Sequence, residues 1–292
     1  NGGGAGGRIF LEGSSSLSNK GNGNLRVNGG QGTSIGTDGS VRYVRPSNLE
    51  AMEYTTGTII IDTDSGTLTH SSGDLAYGFI DDKSYVDESG AVWPYSVCRF
   101  SFTQISLGGG VVMSVRGNNA LQLDAYSGDL ILGANIRVDG GDARAADGGV
   151  AIAGGFDGMD AGAGPGAGPG APATTSTAGH GAAYAGHGSG NAKTYGDPAL
   201  DNLLGGSSGG GTATEGSGAG AGALWLKSAR EILIKPNTVL SANGGNGASD
   251  GASGAGGGIR LEGIRIYNYG RIEAKSGIGV KEYNQNQTRG SS

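Results

Sequence analysis

Aspartate is the residue through which this chain would most readily do chemistry. Asp139, Asp142, Asp147, Asp157 and Asp160 fall within VDGGDARAADGGVAIAGGFDGMDAG. Carboxylate oxygens beside glycine turns are what a hard cation such as Ca2+ requires. Their spacing fits neither the EF-hand loop nor a regular nonapeptide calcium repeat, so solvated turn aspartates are the plainer expectation and no other cofactor is expected. Asp62 and Asp64 in IDTDSG lie two apart and so share one face of a strand, as a pair of carboxylates working on a polysaccharide could. Neither an aromatic platform nor a basic partner is near them in sequence, and a solvent-facing pair is expected. Asp81, Asp82, Asp87 and Glu88 read as an exposed acidic loop. His70, His180 and His187 have no Ser or Asp at a recognisable catalytic spacing. Ser207-Ser208 in GGSSGG has the glycines of a nucleophile elbow but not the strand and helix that strain one. The lone cysteine, Cys98, cannot form an internal disulfide and reads as a small buried hydrophobe. Two glycan attachment points are conceivable: the sequon at Asn286, and Thr174, Thr175, Ser176 and Thr177 in APATTSTAG. No catalytic set emerges, and the expectation is that the chain is not an enzyme.

Any such residues must be positioned by a peculiar polymer. Glycine supplies 64 of 292 residues, roughly three times the ~7% of average usage, without the strict third-residue period of collagen. Hydrophobic residues make up 36%, so any core must be thin and repetitive. The net charge of −6 and the scattered placement of the 20 Lys and Arg offer no footprint for a phosphate backbone, and nucleic acid is not an expected partner. No run of about 18 apolar residues exists, so no membrane span is expected. The absence of an initiator Met and of a signal peptide points to a mature chain or an excised piece of something longer.

Self-similarity is the strongest signal. NLRVNGG (24–30), NIRVDGG (135–141), VLSANGG (239–245) and RIEAKSG (271–277) each end an alternating apolar stretch on a small residue and glycine. GGRIFLEG (6–13), GALWLKS (222–228) and GGIRLEG (257–263) open such units. Alternation over three to five residues bounded by Gly, Asn and Ser is a strand signal. Three short strands per unit cannot close as hairpins burying both faces, so the pattern predicts an all-β, parallel β-helix (β-solenoid) in which Leu224 lies over Ile259. Residues 1–141 are expected to form such coils, with an excursion or small hairpin near 71–94, and residues 222–292 further coils and a tail. The tract 142–221 has too few large apolar residues to offset its ordering entropy as a normal fold. It is read as a glycine-rich insertion, either loosely ordered or a polyproline-II-like bundle pinned by Phe156, Tyr184, Tyr195 and Leu203-Leu204.

These phrases, with IDTDSGTLTH, FSFTQISLGGGVVMSVRGNNALQLDA and YGDPALDNLLGGSSGGG, resemble secreted glycine-rich surface proteins of bacteria and some protists. In that class GGGAGGxIxL…GxIxAxGG units run in tandem. The resemblance implies a parallel β-helix with structural or adhesive roles outside the cell, and it carries no catalytic residue set. Strand edges at Ile9, Leu11, Ile259, Leu261 and Ile272 are then expected to join copies head to tail, since unpaired edges invite another strand. Two alternatives accompany this reading. A glycan- or surface-binding adhesin would show a flank of exposed aromatics, for which Tyr43, Tyr54, Tyr77, Tyr85, Trp93 and Tyr95 are candidates. A polysaccharide-active enzyme would need the carboxylates above to converge.

Overall fold

The computed structural model describes residues 50–144, 147–158, 162–168, 179–189, 192–212 and 215–279, together with the backbone of strands 8–12 and 40–44. Among these residues every regular element is a strand. The first seven are β1 (Arg8–Glu12), β2 (Ser40–Val44), β3 (Met52–Asp62), β4 (Thr67–His70), β5 (Leu75–Tyr77), β6 (Phe79–Val86) and β7 (Val92–Phe102). Then follow β8 (Ile105–Arg116), β9 (Ala120–Ala125), β10 (Leu130–Leu132) and β11 (Ile136–Arg137). After the glycine-rich tract come β12 (Ala223–Ser228), β13 (Glu231–Ile234), β14 (Val239–Ser241), β15 (Gly258–Glu262), β16 (Arg265–Asn268) and β17 (Arg271–Glu273).

The strands form a seven-stranded sheet in the order β16-β13-β10-β8-β3-β4-β5 and a five-stranded sheet in the order β15-β12-β9-β7-β6. A three-stranded sheet runs β11-β14-β17, and β1 pairs with β2 alone. Leu224 is opposite Ile259 on one side and Leu121 on the other, both in parallel register. Ile232 likewise lies between Leu130 and Ile266, and Leu240 between Ile136 and Ile272. Successive trios of short strands therefore deliver one residue each to three parallel ladders, because the apolar positions recur at nearly the same spacing in each repeat.

The expected parallel β-helix with a polyproline-II-like insertion is nonetheless corrected, because the two larger sheets are mixed. β4 pairs antiparallel with both β3 and β5, and β6 pairs antiparallel with β7 along its whole length. Tight turns are the physical reason. IDTDSG is the β3–β4 turn: the Asp62 carboxylate accepts the N–H groups of Asp64 and Ser65, and Gly66 takes φ +65°, a left-handed conformation costly for other residues. Asp87 does the same for the β6–β7 turn, accepting from the N–H groups of Ser89 and Ala91. The strand-like letters of 71–94 thus fold back on their neighbours instead of advancing to a new position.

The core is a column of fully buried aliphatics and Phe100 between the sheets, including Ile105, Leu107, Leu121, Leu123, Leu130, Leu132 and Ile136. Burying each such side chain is worth about 1.5–3 kcal/mol over leaving it in water. Beside this column the glycine-rich tract is held differently. Its extended segments have no strand assignment, yet their amides bond across: Gly220 N–H donates to Phe156 O, Gly206 N–H to Ala221 O, Gly218 N–H to Ala252 O and Gly254 N–H to Gly245 O. Residues 244–257 thus belong to the same hydrogen-bonded body as the described residues of 142–221. A Cβ built on Gly220 would overlap the carbonyl oxygen of Gly206, so the segments approach as closely as bare backbone permits.

Candidate functional site

The two sides of the sheets end differently. At one side two of the three parallel ladders are closed by antiparallel strands, β5 beyond β3 and β4, and β6 beyond β7, while the third ends at β11. At the other, β15, β16 and β17 are the last strands of all three sheets, and among the described residues each has a neighbour on one edge only. This open side is also apolar. Ile266 and Ile272 are 44% and 37% exposed although their ladder partners Ile232 and Leu240 are fully buried. Ile259 and Leu261 are half-buried against the core.

Side chains join the trios as well as backbone. Val239 N–H donates to Asn135 Oδ1, Asn243 N–H to Asp139 Oδ1 and Asn246 N–H to Asp142 Oδ1, each at 2.7 Å. One step further, Lys275 N–H donates to Asn243 Oδ1 and Ile278 N–H to Asn246 Oδ1. The Asn or Asp before the glycines is therefore an acceptor for the next trio rather than only a turn former. The recurrence of VDGG and ANGG was legible as a signal, but its direction was not. Lys275 and Ile278 lack a side-chain acceptor, so this series stops at the open side. Ion pairs cross the same steps, Lys227 with Glu262 and Glu231 with Arg265, while Arg271 and Lys275 pair with Glu273 within the last trio. The Arg260 guanidinium lies 4.4 Å from the centre of the Trp225 ring and its Nη2 is 3.3 Å from Glu262.

A cavity of about 630 Å³ opens between the β6–β7 hairpin, the glycine-rich tract and the start of β15, lined by Tyr85, Glu88, Tyr184, Tyr195, Asp197 and Leu200 among others. Its tyrosines are committed to the backbone. Tyr184 OH donates to Leu204 O, Tyr195 OH donates to Gly205 O and accepts from Ser207 Oγ, and Tyr85 OH accepts Gly196 N–H. Burial pushes the Tyr184 and Tyr195 hydroxyls far above the ordinary tyrosine range. Both stay neutral, as hydrogen-bond pins must.

The structure scatters the sequence candidates. Asp139 and Asp142 serve the acceptor series, Asp157 accepts Ala151 N–H, and Asp147 forms an isolated bridge with Arg144. Asp160 lies outside the described residues, as do Asn286 and Thr174, Thr175, Ser176 and Thr177. Among the described residues no three of His, Cys, Asp and Glu gather into a group that could hold a metal. Asp62 and Asp64 are drawn apart by separate partners, Asp62 by Arg116 and Asp64 by the Asn118 backbone and side chain. Backbone and hydroxyl bonds from Ser65, with Arg116 nearby, hold the Asp62 carboxyl below its ordinary range.

Asp87 is lowered to about 2, first by the Ser89 hydroxyl and then by Trp93 Nε1–H. His70 stacks on Tyr54 at 3.8 Å. Ser207 is buried, its Oγ accepting Gly166 N–H. Burial pushes the Cys98 thiol up to about 12, which suits a core residue. The aromatic flank is dispersed. Trp93 packs edge-on against Phe156, Tyr95 donates to Asn202, and Tyr85 lines the cavity, so three of the six fasten the glycine-rich tract. Tyr77 is exposed, Tyr54 is stacked on His70, and the Tyr43 side chain is outside the description. Ile9 and Leu11 lie in β1, in register with Val41 and Tyr43 of β2.

No helix among the described residues is long and apolar enough to cross a membrane. No family model, curated protein or solved structure matches the chain.

Proposed function

We propose that this chain is a non-enzymatic structural protein of the extracellular space or cell surface, a stiff unit that assembles with copies of itself. One observation carries the reading: among the described residues three parallel ladders end together on a single apolar side at β15, β16 and β17, while on the opposite side antiparallel strands close the two larger sheets. Unpaired edges with exposed aliphatics accept further strands, and a contact between two different surfaces that does not close by rotation makes a filament. The interlocked glycine backbone supports a mechanical role, since close-packed segments without side chains between them have little room to shear. The expected outcome is concentration-dependent growth of rods in sedimentation velocity and negative-stain micrographs of the purified chain. A single species of monomer mass at every concentration up to the solubility limit overturns the reading.

A second reading, a glycan-binding surface module, rests on the tyrosine-lined cavity. It predicts glycan-array binding that Asp197→Ala or Glu88→Ala abolishes. The weaker support reflects tyrosine hydroxyls already bonded to the backbone.

A further inference from the structure

The open side and the segment that leads into the body are made of matching parts. Ile9, Phe10, Leu11, Leu17, Leu25, Val27 and Asn28 recur, without insertion or deletion, as Leu224, Trp225, Leu226, Ile232, Leu240, Ala242 and Asn243. The second set forms the trio β12-β13-β14, on which the terminal trio β15-β16-β17 is stacked. Residues 6–30 therefore have the spacing to supply all three ladders at once. β1 runs parallel to β2 and, among the described pairings, uses one of its two edges.

We infer that β1 and the 14–28 segment of one copy dock as the next trio on the open side of a second copy, so that each molecule donates its first residues to its neighbour. This rests on the structural reading above and names the partner surface. The register follows the internal one. β1 pairs parallel with β15, placing Ile9 beside Ile259 and Leu11 beside Leu261. Leu17 falls beside Ile266, and Leu25 beside Ile272. Each half-exposed aliphatic of the open side gains an aliphatic neighbour. Phe10 comes to Arg260, which already lies over Trp225, so the guanidinium is enclosed between two aromatic rings. Arg26 meets Glu273, a favourable pair. Glu12 meets Glu262, an unfavourable one, tempered because Lys227 and Arg260 already flank that carboxylate.

A second copy, not the chain's own beginning, is the occupant because of reach. The terminal β16 is four strands from β3 across the sheet, so β1 and β2 stacked beyond it stand five and six steps away. Six steps of ~4.8 Å come to about 29 Å. Val44 and Met52 are eight residues apart in the sequence, a span of at most about 26–29 Å when fully extended. That leaves no length for the path around the body. The chain's own side near β3 and β7 is closed to β2 by β4 and β6.

The test uses full-length chains with one half of the contact blocked. Leu17→Asp spoils the donated segment, and Ile266→Asp spoils the open side at a residue 44% exposed, which the fold tolerates. Both are first shown to keep the circular dichroism and the unfolding midpoint of the parent. Each alone is expected to stay monomeric, with association weakened at least tenfold, and the two mixed to give dimers and nothing larger, because one intact junction remains. Glu12→Lys, which exchanges the repulsive pair for an attractive one, is expected to lower the concentration at which the parent assembles. Assembly unaffected by Leu17→Asp overturns this junction while leaving a self-assembling structural protein standing. Monomers in every sample, parent included, overturn both. Dimers absent from the mixture, or assembly weakened by Glu12→Lys, overturn the register.

Discussion

The aliphatic column and the glycine-rich body beside it reach the same burial by opposite means. In the column, Leu121, Leu123, Leu224 and Leu226 fill space with side chains between sheets. In the glycine-rich body, Gly206, Gly218, Gly220 and Gly254 remove side chains so that amides and carbonyls of neighbouring segments meet directly. Deleting atoms should harm the first, and adding atoms should harm the second. Within the glycine-rich body Tyr184 and Tyr195 lie edge to face at 4.9 Å and send their hydroxyls to the backbone at Leu204 and Gly205, while Tyr85 of β6 ties the body to the sheets by accepting the Gly196 N–H.

The comparison is broken most directly by a single methyl group. Gly220→Ala places a Cβ on the Gly206 carbonyl and should part the segments that carry the Phe156–Gly220 and Gly206–Ala221 bonds. With buried bonds lost at about 1–3 kcal/mol each, the expected loss is about 5 kcal/mol, measured by urea unfolding. The same substitution at Gly73, φ +97° with nothing within 4 Å of the new Cβ, meets only backbone strain and should cost about 1–2 kcal/mol. Equal effects at the two positions would refute close approach as the organising feature.

Next in size is Leu123→Ala in the column, expected to cost about 2–5 kcal/mol through lost burial and a residual cavity. A cost below about 1 kcal/mol would mean the column is not close-packed.

The smallest effect sharpens the boundary between the sheets and their charged surface. Asp124 is raised above its ordinary range by burial, against the opposing pull of Lys227 and Arg99, and its Oδ1 finds no hydrogen-bond partner among the described residues. A carboxyl whose folded pKa lies above its unfolded value binds more protons when folded, so its contribution falls as pH rises from the unfolded value through the folded one. Asp124→Asn should therefore give a small gain in stability at pH 7 that disappears below about pH 3.8, read as unfolding midpoints across pH. A gain that persisted in acid would assign the effect to the amide's hydrogen bonds instead.

Part of this architecture was written in local spacing. Leu224 beside Ile259 follows from two phrases that place an aliphatic at the same point after a glycine run, and the pairing is parallel. Cys98 as a buried hydrophobe followed from its being the one cysteine of the chain, with no partner for an internal disulfide. The fold class did not follow. The antiparallel hairpins at β3–β4 and β6–β7 depend on Asp62 and Asp87 turning their carboxylates onto backbone amides, and the letters of IDTDSG serve equally well as a strand bearing two acids.

What the sequence alone determined is the order and spacing of its short strands, because alternation and glycine punctuation act over a few residues and leave a one-dimensional trace. Only the tertiary structure decided which edges are closed and which segments touch. A glycine carries no side chain to announce its neighbour, and an aspartate's partners are chosen by where the chain returns.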